Sequence, residues 1–492
     1  MNAARKQSVN PVSRRKLISG VAASAAAAAL PSFLFGQTKK RPLSVLFLMC
    51  DQYRPDAFRQ YGDRNAITPV LDSLAASGVA LRQTYCSTPV CVPARNSILT
   101  GRYSHSTGVV SNGYRANREQ LSFAQVLRSK GYKTACFGKL HTPGRADLDW
   151  DFYDEGRERQ RGKPPEGAVL LETGLSTDGR TPIGAPDPYP EDQTMEWHAK
   201  ENSIAFMKEN RDRPWLLQCS FKKPHPPFQP PKRCWDMIDR AKLIIPPAPP
   251  NNLADTNPRY WEGMKRRGMD HLTDEQVRDG MQGYYGNIAF CDLLFKEVLE
   301  TVHDLGLTET TLVIFTADHG EMLHQLKLWT KMVFFDPAVR VPLFLRLPGV
   351  IPAGRQTRAL VEHVDVFPTI MEFLGFETPR SVQGRSLVAL ATGKTEKHRE
   401  VARSEFPNVG KSRRGGYDPT MMQFDGRYKV VDNGPDIPPE LYDTKTDPGE
   451  TSNIYRRPDQ QQRLKRMLSE VRAWVKQDAV PLQQRKGGDD EA

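Results

Sequence analysis

The sequence predicts an α/β fold: a large, mostly parallel central sheet flanked by helices, with a smaller α+β subdomain at its C-terminal end. Three observations carry this. Leu43–Met49 is a near-continuous apolar run, the pattern of a strand buried on both faces. Further apolar runs alternate with segments of helical periodicity, as layered α/β domains require. After Gly375 the pattern changes to short β-like pieces and one amphipathic helix.

Before the first strand, Ser13-Arg14-Arg15-Lys16 leads into an alanine-rich, weakly apolar stretch that ends near Gly36. A basic head on such a stretch reads as an export signal over residues 1–36. The paired arginines point to the twin-arginine machinery, hence to a periplasmic or extracellular destination in a bacterium. The alternative is a retained anchor, since Leu17–Gly36 is almost long enough to span a bilayer.

The strand candidates after Leu43–Met49 are Thr134–Phe137, Trp215–Phe221, Thr311–Thr316 and Val341–Leu345. Helical spacing marks Pro69–Ser77, Gln120–Ser129, Leu293–Leu305 and Val364–Leu374. The Pro- and Gly-rich stretches 160–192 and 224–260 read as long loops over the sheet. The sequence thus predicts a catalytic unit over 43–375 and a subdomain over 376–480. The latter holds Met421–Phe424, Tyr428–Val431 and a helix over Gln461–Val475, and a polar tail over 481–492 follows.

Composition excludes several classes. With 38% hydrophobic and 26% charged residues, the chain has the apolar material for a core, so it is not a disordered protein. The net charge is +11, and five of the basic residues (Arg5, Lys6, Arg14, Arg15, Lys16) lie in the acid-free leader. No basic stripe with interleaved aromatics is present, so no nucleic-acid partner is expected. The 7 cysteines form no CxxC pair and no zinc pattern. Cys50, Cys136, Cys219 and Cys291 lie in apolar runs and read as inert core thiols.

The chemistry gathers where strands end, because ligands of open α/β sheets bind beyond the carboxyl ends of the strands. Asp51-Gln52 follows the first apolar run and Asp318-His319-Gly320-Glu321 follows the fourth. Carboxylates and an amide oxygen suit a hard divalent cation, and a histidine nitrogen widens the choice toward manganese. Either pair alone is equally a turn signal. Cys91-Val92-Pro93-Ala94-Arg95 places a thiol at a helix start with a guanidinium one turn on, a setting able to lower a thiol pKa, though on these residues alone a buried structural thiol is the better reading.

Cys-x-Pro-x-Arg over Cys91–Arg95, followed by Thr100-Gly101-Arg102, resembles the signature of the formylglycine-dependent sulfatases, members of the alkaline-phosphatase-like superfamily. Other matches occur in that family's order: Asp51-Gln52; Thr68-Pro69 with Leu71-Asp72; Gly131-Tyr132; Gly138-Lys139-Leu140-His141; Pro224-His225-Pro226-Pro227-Phe228; Asp318-His319-Gly320-Glu321; Leu328-Trp329 with Lys331. Glu440-Leu441-Tyr442-Asp443 and Asp447-Pro448 resemble the family's C-terminal subdomain. The ordered set spans roughly residues 43–455.

The resemblance implies an alkaline-phosphatase-like fold and a sulfuric ester hydrolase that releases inorganic sulfate. It implies that a formylglycine-generating or related maturation enzyme oxidises Cys91 to an aldehyde. The hydrated aldehyde would carry two hydroxyls: one attacks sulfur, and the other loses a proton to expel sulfate. Asp51, Gln52, Asp318 and His319 would hold one divalent metal ion, with the matured Cys91 as a further ligand, calcium first and manganese or magnesium as alternatives. Arg95 would orient the hydrated aldehyde, and Lys139 and Lys331 would bind sulfate oxygens. His141 would be the base in sulfate elimination and His225 the leaving-group acid. His105, His324 and His363 receive no role. Arg340, in Asp336-Pro337-Ala338-Val339-Arg340, reads as a structural residue paired with an acid.

The chain departs from the commonest sulfatase pattern, which carries Asp-Asp after the first strand and Asp-Asn after the later one. Choline-sulfatase-like and iduronate-sulfatase-like members and the phosphonate monoester hydrolases share such variation. The expected substrate, from the export signal alone, is a sulfated carbohydrate, since large anionic glycans stay outside the inner membrane. Choline-sulfatase-like activity and phosphonate or phosphate ester hydrolysis remain the enzymatic alternatives, and a sulfated-glycan binding protein the non-enzymatic one.

Overall fold

A computed structural model describes residues 41–155, 164–171, 175, 177, 182–249, 256–407 and 419–480. The expected export signal (1–36) and polar tail (481–492) lie outside these residues, as do parts of the two expected long loops. The described chain from Pro42 onward makes one compact unit. Among the described residues no helix is long and apolar enough to cross a membrane.

The central sheet has nine strands: β1 Ser44–Asp51, β2 Val79–Tyr85, β3 Lys133–Gly138, β4 Phe152–Asp154, β5 Trp215–Pro224, β6 Thr311–Ala317, β7 Arg340–Val341, β8 Leu343–Arg346 and β9 Arg355–Glu362. Their order is β4-β3-β5-β1-β6-β8-β2-β7, and β9 pairs with β2. The run β4-β3-β5-β1-β6 is parallel throughout, whereas β8 is antiparallel to β6 and β2. Every residue of β1 and of β6 is buried, as the unbroken apolar runs require. On one face Phe295 of a flanking helix packs against Phe221 and Phe315 of the sheet, and on the other the helical Phe123 packs against Phe47 of β1 and Phe367.

Several expected elements shift. The run Val341–Leu345 divides into β7 and β8 at Pro342, which has no N–H for the ladder. The helix expected at Leu293–Leu305 is the last part of a helix running over Asp274–Asp304. Its first half is punctuated by Gly280, Gly283 and Gly286, poor helix formers. A Cβ at Gly283 would lie 2.2 Å from Phe228 O, and one at Gly286 2.6 Å from Pro230 Cγ. These glycines let the 225–231 segment lie directly on the helix. The expected helix Gln120–Ser129 begins at Phe123, where Ser122 and Gln125 form a capping box.

The second sheet is antiparallel, β10 Ala402–Pro407, β11 Pro419–Phe424, β12 Tyr428–Asp432 and β13 Glu440–Asp443, in chain order. The amphipathic helix Gln461–Val475 packs on it through Leu464, Met467, Val471 and Trp474. Lys429 of β12 reaches toward the central sheet, its Nζ lying 2.5 Å from both Asp336 Oδ1 and Glu450 Oε1. Arg340 pairs with Asp336 at 2.8 Å, the structural ion pair expected of it.

Candidate active site

Four adjacent parallel strands deliver the polar residues to one edge of the sheet. β1 ends at Asp51 and Gln52 follows; β6 beside it ends at Ala317, opposite Cys50, and Asp318-His319 follow. On the other flank Pro224 of β5 is opposite Asp51 and precedes His225. β3 comes next, with Gly138 opposite Ser220, and Lys139 follows. Gly138 has φ 87°, and a Cβ there would lie 1.9 Å from Ser220 O. Only glycine permits that approach, which lets Lys139 N donate to the same oxygen at 2.8 Å.

Cys91 is the first residue of the buried helix Cys91–Thr100 and faces this edge. Its Sγ lies 3.2 Å from His319 Nε2, 3.6 Å from Lys331 Nζ, 3.7 Å from Asp51 Oδ1 and 3.9 Å from Lys139 Nζ. Burial and Asp51 push this thiol up. Lys139, Lys331 and His319 outweigh them and hold it well below the usual thiol range. Three core cysteines behave oppositely: burial raises Cys50 and Cys136 well above that range and Cys219 to about 12. These are three of the four core thiols the apolar runs predicted; the fourth, Cys291, is buried and unbridged.

Arg95, one turn beyond Cys91, is clamped on all sides. Its Nε donates to Asp318 Oδ2 at 2.8 Å and Nη2 to Asp51 Oδ2 at 3.3 Å. Its Nη1 donates to Ser220 Oγ at 3.0 Å and to Lys139 O at 2.5 Å. Burial pushes the Asp51 carboxyl up, but the Lys139, Arg95 and Lys331 cations hold it well below the ordinary carboxylate range. Lys139 Nζ lies 2.5 Å from Asp51 Oδ2. Asp318 goes the other way, raised by burial and by the neighbouring Asp51 charge.

Donor atoms of Asp51, Cys91, Asp318 and His319 all lie within 4.8 Å of one another, and all four residues are buried. Two carboxylates and an imidazole at that spacing fit a divalent cation, and the residual repulsion at Asp318 marks where positive charge is wanted. Gln52, with φ 66°, extends past this group. Its Oε1 accepts from Lys331 Nζ at 2.6 Å, and its Nε2 donates to Glu321.

His225 Nδ1 donates to Pro226 O at 2.7 Å, which makes Nε2 the proton-accepting nitrogen of the neutral ring. Burial, then Lys331 and Lys139, hold its pKa well below the ordinary histidine value. His141 lies two residues beyond Lys139 with φ 50°; its backbone N–H donates to Glu155, and its buried Nδ1 has no partner among the described residues. The structure therefore brings Asp51, Gln52, Cys91, Arg95, Lys139, Asp318, His319 and Lys331 into one contact network. His225 lies within its electrostatic reach, and no contact joins His141 to Cys91. Three further residues escape sequence reasoning. Ser220 braces Arg95; Tyr284, whose hydroxyl donates to Gln52 O at 2.9 Å, fixes the turn after β1; Glu321 holds Gln52. Only Glu321 sits inside a recognised motif.

Residues 44–376 match the Sulfatase family model, and residues 324–477 match that of the N-sulphoglucosamine sulphohydrolase C-terminal region. The choline-sulfatase of Rhizobium meliloti (strain 1021) is 29% identical over 434 residues, covering 84% of this chain and 83% of that one. The phosphonate monoester hydrolase of Agrobacterium radiobacter has a similar structure, with TM-score 0.75 and 26% identity over 88% of this chain and 96% of that one. A structure solved in complex with its substrate D-glucosamine-2-N,6-O-disulfate shares the fold, with TM-score 0.71 and 21% identity over 90% of this chain and 100% of that one. The matched residues carry the thiol, both carboxylates and both lysines of the network. The chain belongs to the sulfatase family, hydrolases of sulfuric esters.

Proposed function

We propose that this chain is an exported sulfatase acting on a sulfated carbohydrate, with Cys91 matured to formylglycine. The observation that carries the reading is the convergence of Asp51, His319, Lys139 and Lys331 on Cys91 Sγ, each within 3.9 Å. A matured residue 91 supplies the hydroxyl nucleophile there, together with a route to expel sulfate afterwards. A divalent cation held by Asp51, Gln52, Asp318 and His319 supplies Lewis-acid polarisation of the sulfate oxygens. Its oxygen-rich donors favour calcium, and His319 admits manganese.

The remaining work falls to this chain's own groups. Lys139 and Lys331 flank the nucleophile as fixed ammonium groups and neutralise charge on the sulfate oxygens. Arg95, itself immobilised by two carboxylates, orients the side chain at 91. His225 is neutral at rest, so its acid role requires that Nε2 first take up a proton from solvent, which the bound sulfate favours by offsetting the Lys139 and Lys331 charges. A ring held neutral by burial and two cations then gives that proton up readily to the leaving oxygen. His141 is assigned the elimination step through its unpaired Nδ1.

The carbohydrate class draws support from the ulvan-active sulfatase of Formosa agariphila (27% identical over 353 residues, 70% of this chain and 64% of that one) and from the disulfated glucosamine bound in the similar structure. Export through the twin-arginine machinery fits a substrate too large and anionic to enter the cell. The test is co-expression with a maturation enzyme, mass spectrometry of the Cys91 peptide, and sulfate release from a panel. The panel holds sulfated oligosaccharides, choline sulfate, an aryl sulfate and an aryl phosphonate. Oxidised residue 91 with turnover of the oligosaccharides is expected. Turnover of choline sulfate alone, or of the phosphonate in preference, overturns the substrate class. An unmodified thiol without turnover overturns the catalytic reading in favour of glycan binding.

A further inference from the structure

An amide side chain has one accepting end and one donating end, so a metal-facing glutamine works only if its oxygen is the end turned inward. At Gln52 both neighbours are of one kind each. Glu321, fully buried, only accepts, and it takes the Gln52 Nε2 hydrogen on Oε2. Lys331 only donates, and it gives a hydrogen to Gln52 Oε1 at 2.6 Å. No other orientation of the amide satisfies both partners.

The other oxygen of Glu321 has a second task. Oε1 accepts from Leu323 N at 2.8 Å and from Thr330 N at 2.5 Å, and Met322 N donates to Thr330 O at 2.9 Å. These bonds tie the two ends of the 322–330 loop together. Within it Leu323, His324, Leu326, Lys327 and Thr330 all hold left-handed φ, which non-glycine residues keep only where surrounding contacts over-determine it. Lys331 leaves the loop directly after Thr330.

We propose that Glu321 is the positioning residue of this site: one oxygen selects the oxygen-inward orientation of Gln52 and the other sets the loop that carries Lys331. The inference rests on the reading of Gln52 as a ligand of the divalent cation. It concerns how position 52 is made an oxygen donor, whatever ester is cleaved.

The test is calorimetric titration of the metal-stripped full chain with calcium chloride, and in parallel with manganese chloride, taking the ion the wild type binds more tightly. Glu321→Gln keeps the shape and still offers Oε1 to both backbone N–H groups, but it sets an NH2 against the Gln52 NH2. The Gln52 amide turns, and metal affinity is expected to fall about tenfold to hundredfold. The swap Gln52→Glu with Glu321→Gln reverses the one bond between the two side chains, since the amide at 321 now donates to a carboxylate at 52 whose other oxygen keeps Lys331 as its donor and faces the cation. It is expected to restore affinity to the wild-type level or above it. Unchanged affinity in Glu321→Gln, or a loss that the swap leaves in place, overturns the proposal. Should the single variant fail to fold, the swap decides alone: affinity at or above the wild-type level supports the proposal and weaker binding overturns it. Gln52→Leu separates the two readings. If it binds metal as the wild type does, the ligand assignment of Gln52 fails and the inference falls with it, while sulfate-ester hydrolysis stands or falls on turnover.

Discussion

Arg95 Nε donates to Asp318 Oδ2 at 2.8 Å, with both side chains withdrawn from solvent. The same guanidinium reaches Asp51 with Nη2, so one cation ties together the ends of two neighbouring strands. Removing one partner of a buried pair strands the other charge. Arg95→Ala is therefore expected to destabilise the metal-stripped protein by about 3–5 kcal/mol. Arg95→Lys should recover only part of this, because a lysine cannot span both carboxylates. Urea unfolding in the presence of a chelator measures both.

Cys91→Ala is expected to lower sulfate release at least about thousandfold, because it removes the nucleophile and leaves only binding and charge stabilisation. Cys91→Ser should retain a single sulfuryl group without turning over, since a serine ester lacks the second hydroxyl that expels sulfate. Intact-protein mass spectrometry after exposure to substrate distinguishes the two variants. Turnover by either at the wild-type rate contradicts the assignment of residue 91.

Lys139→Ala and Lys331→Ala are each expected to lower kcat about hundredfold to thousandfold, the loss typical of one preorganised donor to developing charge. Lys139 also neutralises Asp51. Its removal should for that reason strengthen binding of the divalent cation, a separation that titration of both variants reads directly.

Metal removal should lower the melting temperature, since Asp51 and Asp318 then face each other with Arg95 and Lys139 as counter-charges. Restoring the cation at a hundred times its Kd should return about 2.7 kcal/mol. Scanning calorimetry with chelator and with added calcium or manganese checks this.

His324 accepts a hydrogen bond on Nδ1 from Trp329 Nε1 at 3.1 Å, and burial lowers its pKa to about 4. Unfolded, it titrates near 6.5. Between those values the unfolded chain binds the extra proton, so this stabilisation is complete above about pH 6.5 and is lost as pH falls toward 4. The slope is up to about 1.4 kcal/mol per pH unit. His324→Gln should flatten that part of the profile, measured as the change in urea unfolding free energy between pH 7 and pH 5.

The sequence by itself determined the elements whose signal is local. The apolar runs of β1, β5 and β6 need burial on both faces, so their position in a parallel sheet was legible, and so were the polar pairs at their ends. The spacing Cys91-x-Pro-x-Arg95 sets the thiol and guanidinium one helical turn apart wherever the helix lies. β2 and β9 escaped because their runs, VALRQTY and RQTRALVE, mix polar and apolar residues on a half-covered region of the sheet. The first half of the helix Asp274–Asp304 escaped because its glycines serve close packing rather than helix propensity. Only the tertiary structure decided which atoms meet. It set Asp51 between Lys139 and Arg95, turned the Gln52 oxygen toward Lys331, and placed Glu321 beneath both Gln52 and the lysine's loop. The reason is physical: strand register and a buried hydrogen-bond network join residues from 44 to 279 positions apart, and no local pattern along the chain encodes such a meeting.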